Sequence, residues 1–296
     1  MYYIAYPFLY LFSLLPFRVL YFLSDGICLL IFNGLKYRRE VVLSNLQIAF
    51  PGKTDKERYV IARDFYRNLI DTFIESVKFI SISPKAAFKR CTAEVTEINE
   101  LIAQGHNVHI MACHQFNWEY ANVLYPLKLN APFVGVYMPI QNKVLDRVFY
   151  NFRKRHGTVL ISATAFKEQS HDIFTRPYVL ALAADQNPGH PGNAFWLDFF
   201  NKPAPFITGP AKAAVKNNTA VVMVGFARLK RGHFHFDCKL ITTDAIRFTA
   251  EELTLLYRDE VERIIRRDPA NYLWSHRRWK YEWKPEYGAV LKKAAG

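Results

Sequence analysis

The sequence predicts an α/β fold with a largely parallel central sheet flanked by helices, preceded by an N-terminal membrane-associated helical segment. Three observations lead there. From Val108 onward, short β-branched and aromatic runs alternate with helical stretches, the pattern of parallel strands joined by crossover helices. Before that, a long stretch repeats its apolar residues close to every 3.6 positions. Finally, residues 1–35 carry only two charged side chains, Arg18 and Asp25.

The first of these parts, in chain order, is the apolar one. Residues 2–17 are aromatic and aliphatic, interrupted by Pro7 and Pro16, and a second apolar run covers 26–35. A secretory signal would open with a basic region and close on a small-residue cleavage site, and neither is present. A spanning helix needs about 20 apolar residues, a count that the prolines and Arg18 interrupt. The abundance of Tyr and Phe suits a membrane interface. The segment therefore reads as an interfacial or partly inserted anchor, with a single span as the close competitor and a buried helix pair as the plain alternative. Lys36, Arg38 and Arg39 follow directly; basic residues beside an apolar segment stay cytoplasmic and attract anionic lipid.

Thr54-Asp55-Lys56-Glu57 has the form of a capping box and opens a helix with Ile61, Phe65, Leu69, Ile70, Phe73, Ile74 and Val77 on its apolar stripe. Within it Glu75 reads as a solvated residue. Ser83-Pro84 starts a short helix, and 96–104 forms another, ended by Gly105. Strands are predicted at 108–113, 133–138, 158–162, 178–184 and 220–228, with helices at 117–127, 142–156, 163–176 and 208–217. Arg231-Gly232 turns the chain into a last, antiparallel strand at 234–241, and a helix at 251–267 ends before Pro269. Residues 185–207 read as a long connection, and connections of that length are usually functional. The expected parts are an anchor over 1–35, a helical region over 36–106 and an α/β core over 107–290.

Composition narrows the function. The chain has 296 residues, 51% hydrophobic and 16% aromatic, with net charge +13. That excludes a disordered tail or a coiled coil. The four cysteines are scattered with no CxxC pair, so neither a zinc knuckle nor a disulfide framework is expected, and a reducing compartment fits. Excess positive charge suits nucleic acid, an anionic membrane surface or an acidic partner; the apolar N-terminus favours the membrane.

In parallel α/β sheets, ligands bind beyond the carboxyl ends of the strands. Two predicted strands end in ionisable groups. The first leads into His114-Gln115-Phe116-Asn117-Trp118-Glu119. Asn117 can cap the following helix, and Glu119 falls in its first turn, from where it can fold back toward His114. A carboxylate beside an imidazole fixes its tautomer and raises its basicity, giving a general base for a hydroxyl. The second ends in Asp185-Gln186-Asn187-Pro188, where Asp185 either orients a catalytic group or binds a polar substrate, or merely caps a helix or forms a turn. Helix 142–156 carries Lys143, Arg147, Arg153, Lys154 and Arg155 against one Asp146. The tail 271–284 interleaves Arg277, Arg278, Lys280 and Lys284 with Trp274, Trp279 and Trp283, a mixture suited to lipid headgroups or phosphates. No G-x-S-x-G elbow, P-loop or dinucleotide fingerprint is present. His233 and His235 share a strand face without a further ligand at a metal-binding spacing, and no metal or cofactor is expected.

His114-x4-Glu119 resembles the HX4D/E motif of membrane glycerolipid and glycolipid acyltransferases. Asn45-Leu46-x3-Phe50-Pro51, Val134-Gly135-Val136-Tyr137-x-Pro139, Ala184-Asp185-Gln186 and Trp274-x-His276-Arg277-Arg278-x-Lys280 look like the late acyltransferases of lipid A biosynthesis, the lauroyl and myristoyl transferases. The resemblance runs from the anchor to about Lys284. It implies a glycerolipid-acyltransferase-like core on the cytoplasmic face of the inner membrane. The implied reaction moves a fatty acyl group from an acyl carrier protein thioester to a hydroxyl of a Kdo-bearing lipid A precursor, without a covalent acyl-enzyme. His114 would be the base, with Glu119 its orienting partner. Arg153 and Asp185 would match two further functional positions, and Gln186, Arg277 and Arg278 would assist or bind substrate. The family's arginine in the Tyr-x-Pro block is replaced here by Met138, so a phosphate or headgroup contact is missing there or supplied elsewhere. The FPEG-like block of lysophosphatidate acyltransferases is not evident. The alternatives are acylation of another lipid, such as a lysophospholipid or amino-acid lipid, and a non-catalytic basic protein that binds membranes or nucleic acid.

Overall fold

The computed structural model describes residues 2–169, 174 and 177–292. Two apolar helices come first, α1 (Tyr2–Leu14) and α2 (Phe17–Leu29), separated at Pro16, which opens α2 without a side-chain cap. A π-helical stretch, Leu30–Leu35, extends α2 until Lys36 turns into the left-handed region. Together, Phe17–Leu35 are long and apolar enough to cross a membrane, with mean hydropathy 1.4. Leu20, Ser24 and Cys28, spaced four apart on one face of α2, are buried, whereas Ile4, Phe8, Leu11, Phe22, Leu29 and Leu30 lie exposed.

Next come α3 (Arg39–Ala49) and α4 (Asp55–Lys78). The capping box forms as expected: Glu57 N donates to Thr54 Oγ1 and Thr54 N donates to Glu57 Oε2. Helix α2 runs antiparallel along α4. Tyr21 pairs with Glu75, Ser24 with Asp71, and the ring of Phe32 packs 5.2 Å from that of Tyr66. Arg231, from far along the chain, binds both Asp25 and Asp71 and completes the joint. Helix α5 (Pro84–Phe88) follows, then strand β1 (Cys91–Ala93) and helix α6 (Thr96–Ala103). Gly105 ends that helix at φ +90°, a conformation that favours glycine. Strand β1 lies inside the stretch read as helical, because its three residues pair with a late strand far away in sequence.

The α/β body contains β2 (Val108–Ala112), α7 (Ala121–Lys128), β3 (Phe133–Tyr137), α8 (Lys143–Lys154), β4 (Val159–Ser162), α9 (Phe166–Gln169) and β5 (Val179–Ala183). It continues through β6 (Ala194–Phe199), β7 (Lys202–Ile207), α10 (Gly209–Asn217), β8 (Ala220–Lys230), β9 (His233–Thr242) and α11 (Ala250–Arg267), and a short β10 (Val290–Leu291) closes it. The main sheet has seven strands in the order β1-β9-β8-β2-β5-β3-β4. All neighbours are parallel except β8 and β9, the expected antiparallel pair. Apolar clusters cover both faces, α7 packing into one and α11 into the other. The helix read over 163–176 is shorter where described: a 3-10 turn precedes α9, and most of the remainder falls outside the described residues.

The long connection 185–207 is not structureless. It folds as the hairpin β6–β7, which joins β10 in a separate three-stranded sheet. Phe200 and Asn201 make its tight turn with φ of +52° and +59°. Such a turn favours Asn and Gly, not Phe. Tertiary contacts sustain it: Phe200 N donates to Glu262 Oε1 at 2.7 Å, and its ring packs edge-on against Phe50 beneath Arg266.

Candidate active site

Parallel strands β2, β5 and β3 end side by side, and His114, Asp185 and Met138 follow their carboxyl ends. Beyond β2 the chain cannot run straight into α7, because residues 114–117 are held from several sides. Leu273 N donates to His114 O, Phe116 N to Asn271 O, and Phe226 N to Gln115 Oε1. The tail from Tyr272 to Trp279 is therefore a strap beside the loop. Asn45 fastens this strap by donating to the carbonyls of Trp274 and His276. That gives a physical role to the asparagine of the Asn45-Leu46-x3-Phe50-Pro51 block.

The imidazole of His114 finds its carboxylate on β5's end. Nδ1 lies 2.8 Å from Asp185 Oδ1, and the backbone N–H of His114 donates to Asp185 Oδ2 at 3.1 Å. Asp185 is fully buried, whereas the His114 side chain keeps 27% of its surface exposed. Burial alone would push the Asp185 carboxyl up; the His114 ring and the two hydrogen bonds outweigh it and hold the carboxyl below its usual range. Burial likewise pulls His114 down, and the Asp185 charge more than offsets it, so the imidazole is more basic than usual. An ionised carboxylate only accepts, so Nδ1 carries the proton and the lone pair of Nε2 faces outward.

The expected His114–Glu119 contact does not form. The Glu119 carboxylate turns to α8, where Arg153 grips both oxygens. Trp118 Nε1 and Asn122 Nδ2 also donate to it, each at 3.1 Å. Glu119 is 1% exposed, and no hydrogen bond joins it to His114 among the described residues. The reason is local geometry. The residues after His114 form a loop and a 3-10 turn (Trp118–Tyr120) before α7 begins, and this rotates Glu119 toward α8. Asn117 does not cap the helix either; its Nδ2 donates to Glu75 Oε2 at 2.8 Å. Glu75, read as solvated, is in fact buried, and burial pushes its carboxyl up to about 7. The signal for it was an acid in the middle of a stripe that includes Asn68, Asp71 and Thr72, all buried on one face of α4.

The other expected residues divide. Arg153 lines the same cavity as His114. Gln186 is half-buried beside Asp185, and Arg277 is exposed. Arg278 is enclosed, 1% exposed, with its guanidinium 5.2 Å from the Phe199 ring centre and 4.4 Å from that of Phe206, and Nη1 on Asn187 Oδ1. It pins the strap to the β6–β7 hairpin and does not line the cavity. Trp274 is likewise fully buried, so these two residues of the basic, tryptophan-rich tail belong to the core, whereas Arg277, Lys280, Trp283 and Lys284 stay exposed. No cluster of three or more potential metal ligands occurs among the described residues.

A cavity of about 300 Å³ opens beside His114. Its walls are apolar because the sheet positions beneath it are small: Ala112 on β2, Ala181 and Ala183 on β5, and Gly135 on β3, with Ala121 opposite on α7. Gly135 and Ala181 are register partners, so two adjacent strands leave the same gap. Phe133, Leu160 and Phe226 also line it, and Met138 and Ile140 border it.

A basic imidazole thus stands at the ends of parallel strands, oriented by a buried carboxylate, beside a narrow apolar cavity. The chain belongs to the bacterial lipid A biosynthesis acyltransferases, whose family profile matches residues 1–281. It is 23% identical over 282 residues to a lipid A biosynthesis palmitoleoyltransferase of Escherichia coli K12, covering 92% of this chain and 88% of the relative. A lipid A biosynthesis acyltransferase of Shigella flexneri matches with the same identity and coverage.

Proposed function

We propose that this protein transfers a fatty acyl group from an acyl carrier protein thioester to a hydroxyl of a lipid A precursor, as a late acylation. The observation that carries the reading is His114, held by Asp185 at the mouth of an apolar cavity. His114 Nε2 takes the proton as the acceptor oxygen attacks the thioester carbonyl. The resulting tetrahedral adduct collapses with cleavage of the carbon–sulfur bond. The released sulfur takes the proton back from the imidazolium, which leaves ester, free carrier thiol and neutral imidazole. Asp185 stabilises the imidazolium between these steps. The Glu119–Arg153 pair shapes the cavity wall and the loop. Gln186 and Arg277 are available to the polar part of the substrates.

The same reading has the protein docked on the cytoplasmic face of the inner membrane. Exposed apolar side chains on α1 and α2 support an interfacial position. The antiparallel joint with α4 disfavours a free span: α4 sets Asp71 and Glu75 against Ser24 and Tyr21 of α2, so α2 is not surrounded by hydrocarbon on every side. A net charge of +13 suits both an acidic carrier and a phosphorylated lipid acceptor. One observation favours a different lipid acceptor, such as a lysophospholipid or amino-acid lipid: Met138, 67% exposed, stands at the cavity border where a phosphate contact was expected. The test is transfer by the purified protein from defined acyl carrier thioesters to a tetra-acylated lipid A precursor, with lysophospholipid and amino-acid lipid acceptors in parallel. Product on the lipid A precursor, lowered about 10²–10⁴-fold by His114→Ala, supports the reading; product only on the other acceptors contradicts it.

A further inference from the structure

Helix α4 and its C-terminal cap residue Phe79 form the platform under the His114 loop and make three contacts with it and the turn that follows. The ring of Phe65 packs 5.8 Å from Phe116, the Glu75 carboxylate accepts from Asn117 Nδ2, and Phe79 meets Tyr120 edge-on at 4.8 Å. The middle contact is the polar one. Its carboxylate also reaches the other way: Tyr21, on the apolar helix α2, donates its hydroxyl to Glu75 Oε1 at 2.7 Å. Asn117 is fully buried between His114 and Glu119, so its side chain sets the path of the loop between the two. The turn between β8 and β9 packs against Tyr21. Gly232 lies there at φ +70°, and any Cβ on it would collide with the Tyr21 hydroxyl.

We propose that Glu75 is a positioning residue for the acyl transfer proposed above, holding the His114 loop through Asn117 and tying that loop through Tyr21 to the membrane-facing helix α2. The inference rests on that reading of the site. In physical terms, a buried carboxylate with two donors on opposite sides is a rigid link. Removing it leaves Asn117 without its partner and lets the loop drift, and a displacement of about 1 Å at a catalytic group lowers turnover about 100-fold. The chain α2–Tyr21–Glu75–Asn117 therefore makes seating of α2 on α4 a condition for a correctly shaped site.

The test uses the full chain in detergent micelles. It measures kcat and KM for acyl transfer, thermal unfolding, and hydrogen–deuterium exchange of the amides of residues 115–120. Glu75→Ala is expected to lower kcat about 100-fold with KM for the thioester changed less than about threefold, and to speed exchange in the loop. Tyr21→Phe should lower kcat about tenfold, and the double variant should be no slower than Glu75→Ala alone, because both act through one link. Glu75→Gln should recover part of the rate, since its amide oxygen still accepts from one partner. Should Glu75→Ala not fold, Glu75→Gln and Tyr21→Phe carry the test by the same split between kcat and KM. A folded Glu75→Ala with wild-type kcat, loop exchange equal to wild type, or losses that multiply in the double variant would overturn the proposal. His114→Ala runs alongside: full activity there overturns the reading of the site itself, while the exchange measurement still decides whether Glu75 holds the loop.

Discussion

His114 Nδ1 lies 2.8 Å from Asp185 Oδ1 although the two residues are 71 positions apart, and the same carboxylate accepts the backbone N–H of His114 at 3.1 Å. One carboxylate thus fixes the position, ring orientation and tautomer of the imidazole. This is possible because β2 and β5 are parallel neighbours, with Ala112 opposite Ala183, so the residues just beyond their ends meet. Tyr257, from α11, locks the two ends together by donating to Ala112 O and accepting from Ala184 N.

Asp185→Asn should lower turnover about 10²–10⁴-fold while the chain stays folded. The pH profile provides an independent sign. The Asp185 charge raises the His114 pKa, and the proposed base acts in its neutral form. The rate therefore climbs as pH rises through that raised pKa and levels above it. Removing the charge lowers the pKa, so the acidic limb of kcat/KM should move to lower pH in the variant. Measurement of kcat/KM against pH for both proteins checks this, and an acidic limb that stays in place would contradict the assignment.

Arg153→Met should destabilise the fold by about 3–5 kcal/mol, because it leaves the Glu119 carboxylate buried without its cation. Arg153→Met combined with Glu119→Leu should recover much of the loss, since no unpaired charge remains. Urea unfolding of the three proteins in the same detergent measures it. An Arg153→Met variant as stable as wild type would show that the pair contributes little to holding the loop against α8.

Filling the cavity should change chain-length preference. A Cβ on Gly135 would meet Leu160, Thr158 and Asn122 at 3.6–4.0 Å, ordinary contact distances, so alanine is admitted without displacement. Ala181→Leu fills more of the same space. Each buried methylene contributes about 0.8 kcal/mol, about fourfold in preference. Competition between acyl thioesters of increasing length should therefore shift toward shorter chains in Gly135→Ala and further in Ala181→Leu. An unchanged preference would mean that the acyl chain lies elsewhere.

Glu75 predicts an inverted pH dependence of stability. Burial raises its carboxyl to about 7 in the fold, against 4.5 for an ordinary glutamate. Between those values the folded chain holds a proton that the unfolded chain has released. Stability therefore falls as pH rises through that window, by an amount on the order of 3 kcal/mol, and is flat above it. Glu75→Gln lacks this slope. Denaturation midpoints from about pH 5 to 8 for both proteins test it, and parallel curves would contradict the assignment.

Much of this architecture is legible in the sequence, because a strand ending in a buried run and a helix opening in a capping box are local signals. Thr54 and Glu57, Ser83 and Pro84, and Gly105 each mark a boundary that the fold keeps. His114 and Asp185 could be placed at strand ends, but their pairing depends on which strands lie side by side, and strand order is not a local property. Nearness in sequence pairs Glu119 with His114, and the loop before α7 rotates it toward Arg153 instead. Glu75 looks solvated in the sequence because amphipathicity assumes a polar outside. At that end of α4, Phe73 faces outward while Asn68, Asp71, Thr72 and Glu75 face the body. The hairpin β6–β7 was hidden because its turn uses Phe200 where glycine or asparagine is the usual cue. Arg278 reads in sequence as a substrate or headgroup contact, because only the fold supplies the rings of Phe199 and Phe206 that enclose it.

The central claim is that the imidazole, made basic by its buried carboxylate partner, activates the acceptor alcohol for capture of an acyl group. Single-turnover transfer from a labelled acyl carrier thioester to a lipid A precursor, followed for wild type and for folded His114→Ala, tests it most directly. The account predicts a fast pH-dependent product burst in wild type and a rate at least about 10²-fold lower in the variant. Equal rates, or a labelled acyl group accumulating covalently on the protein, would contradict it.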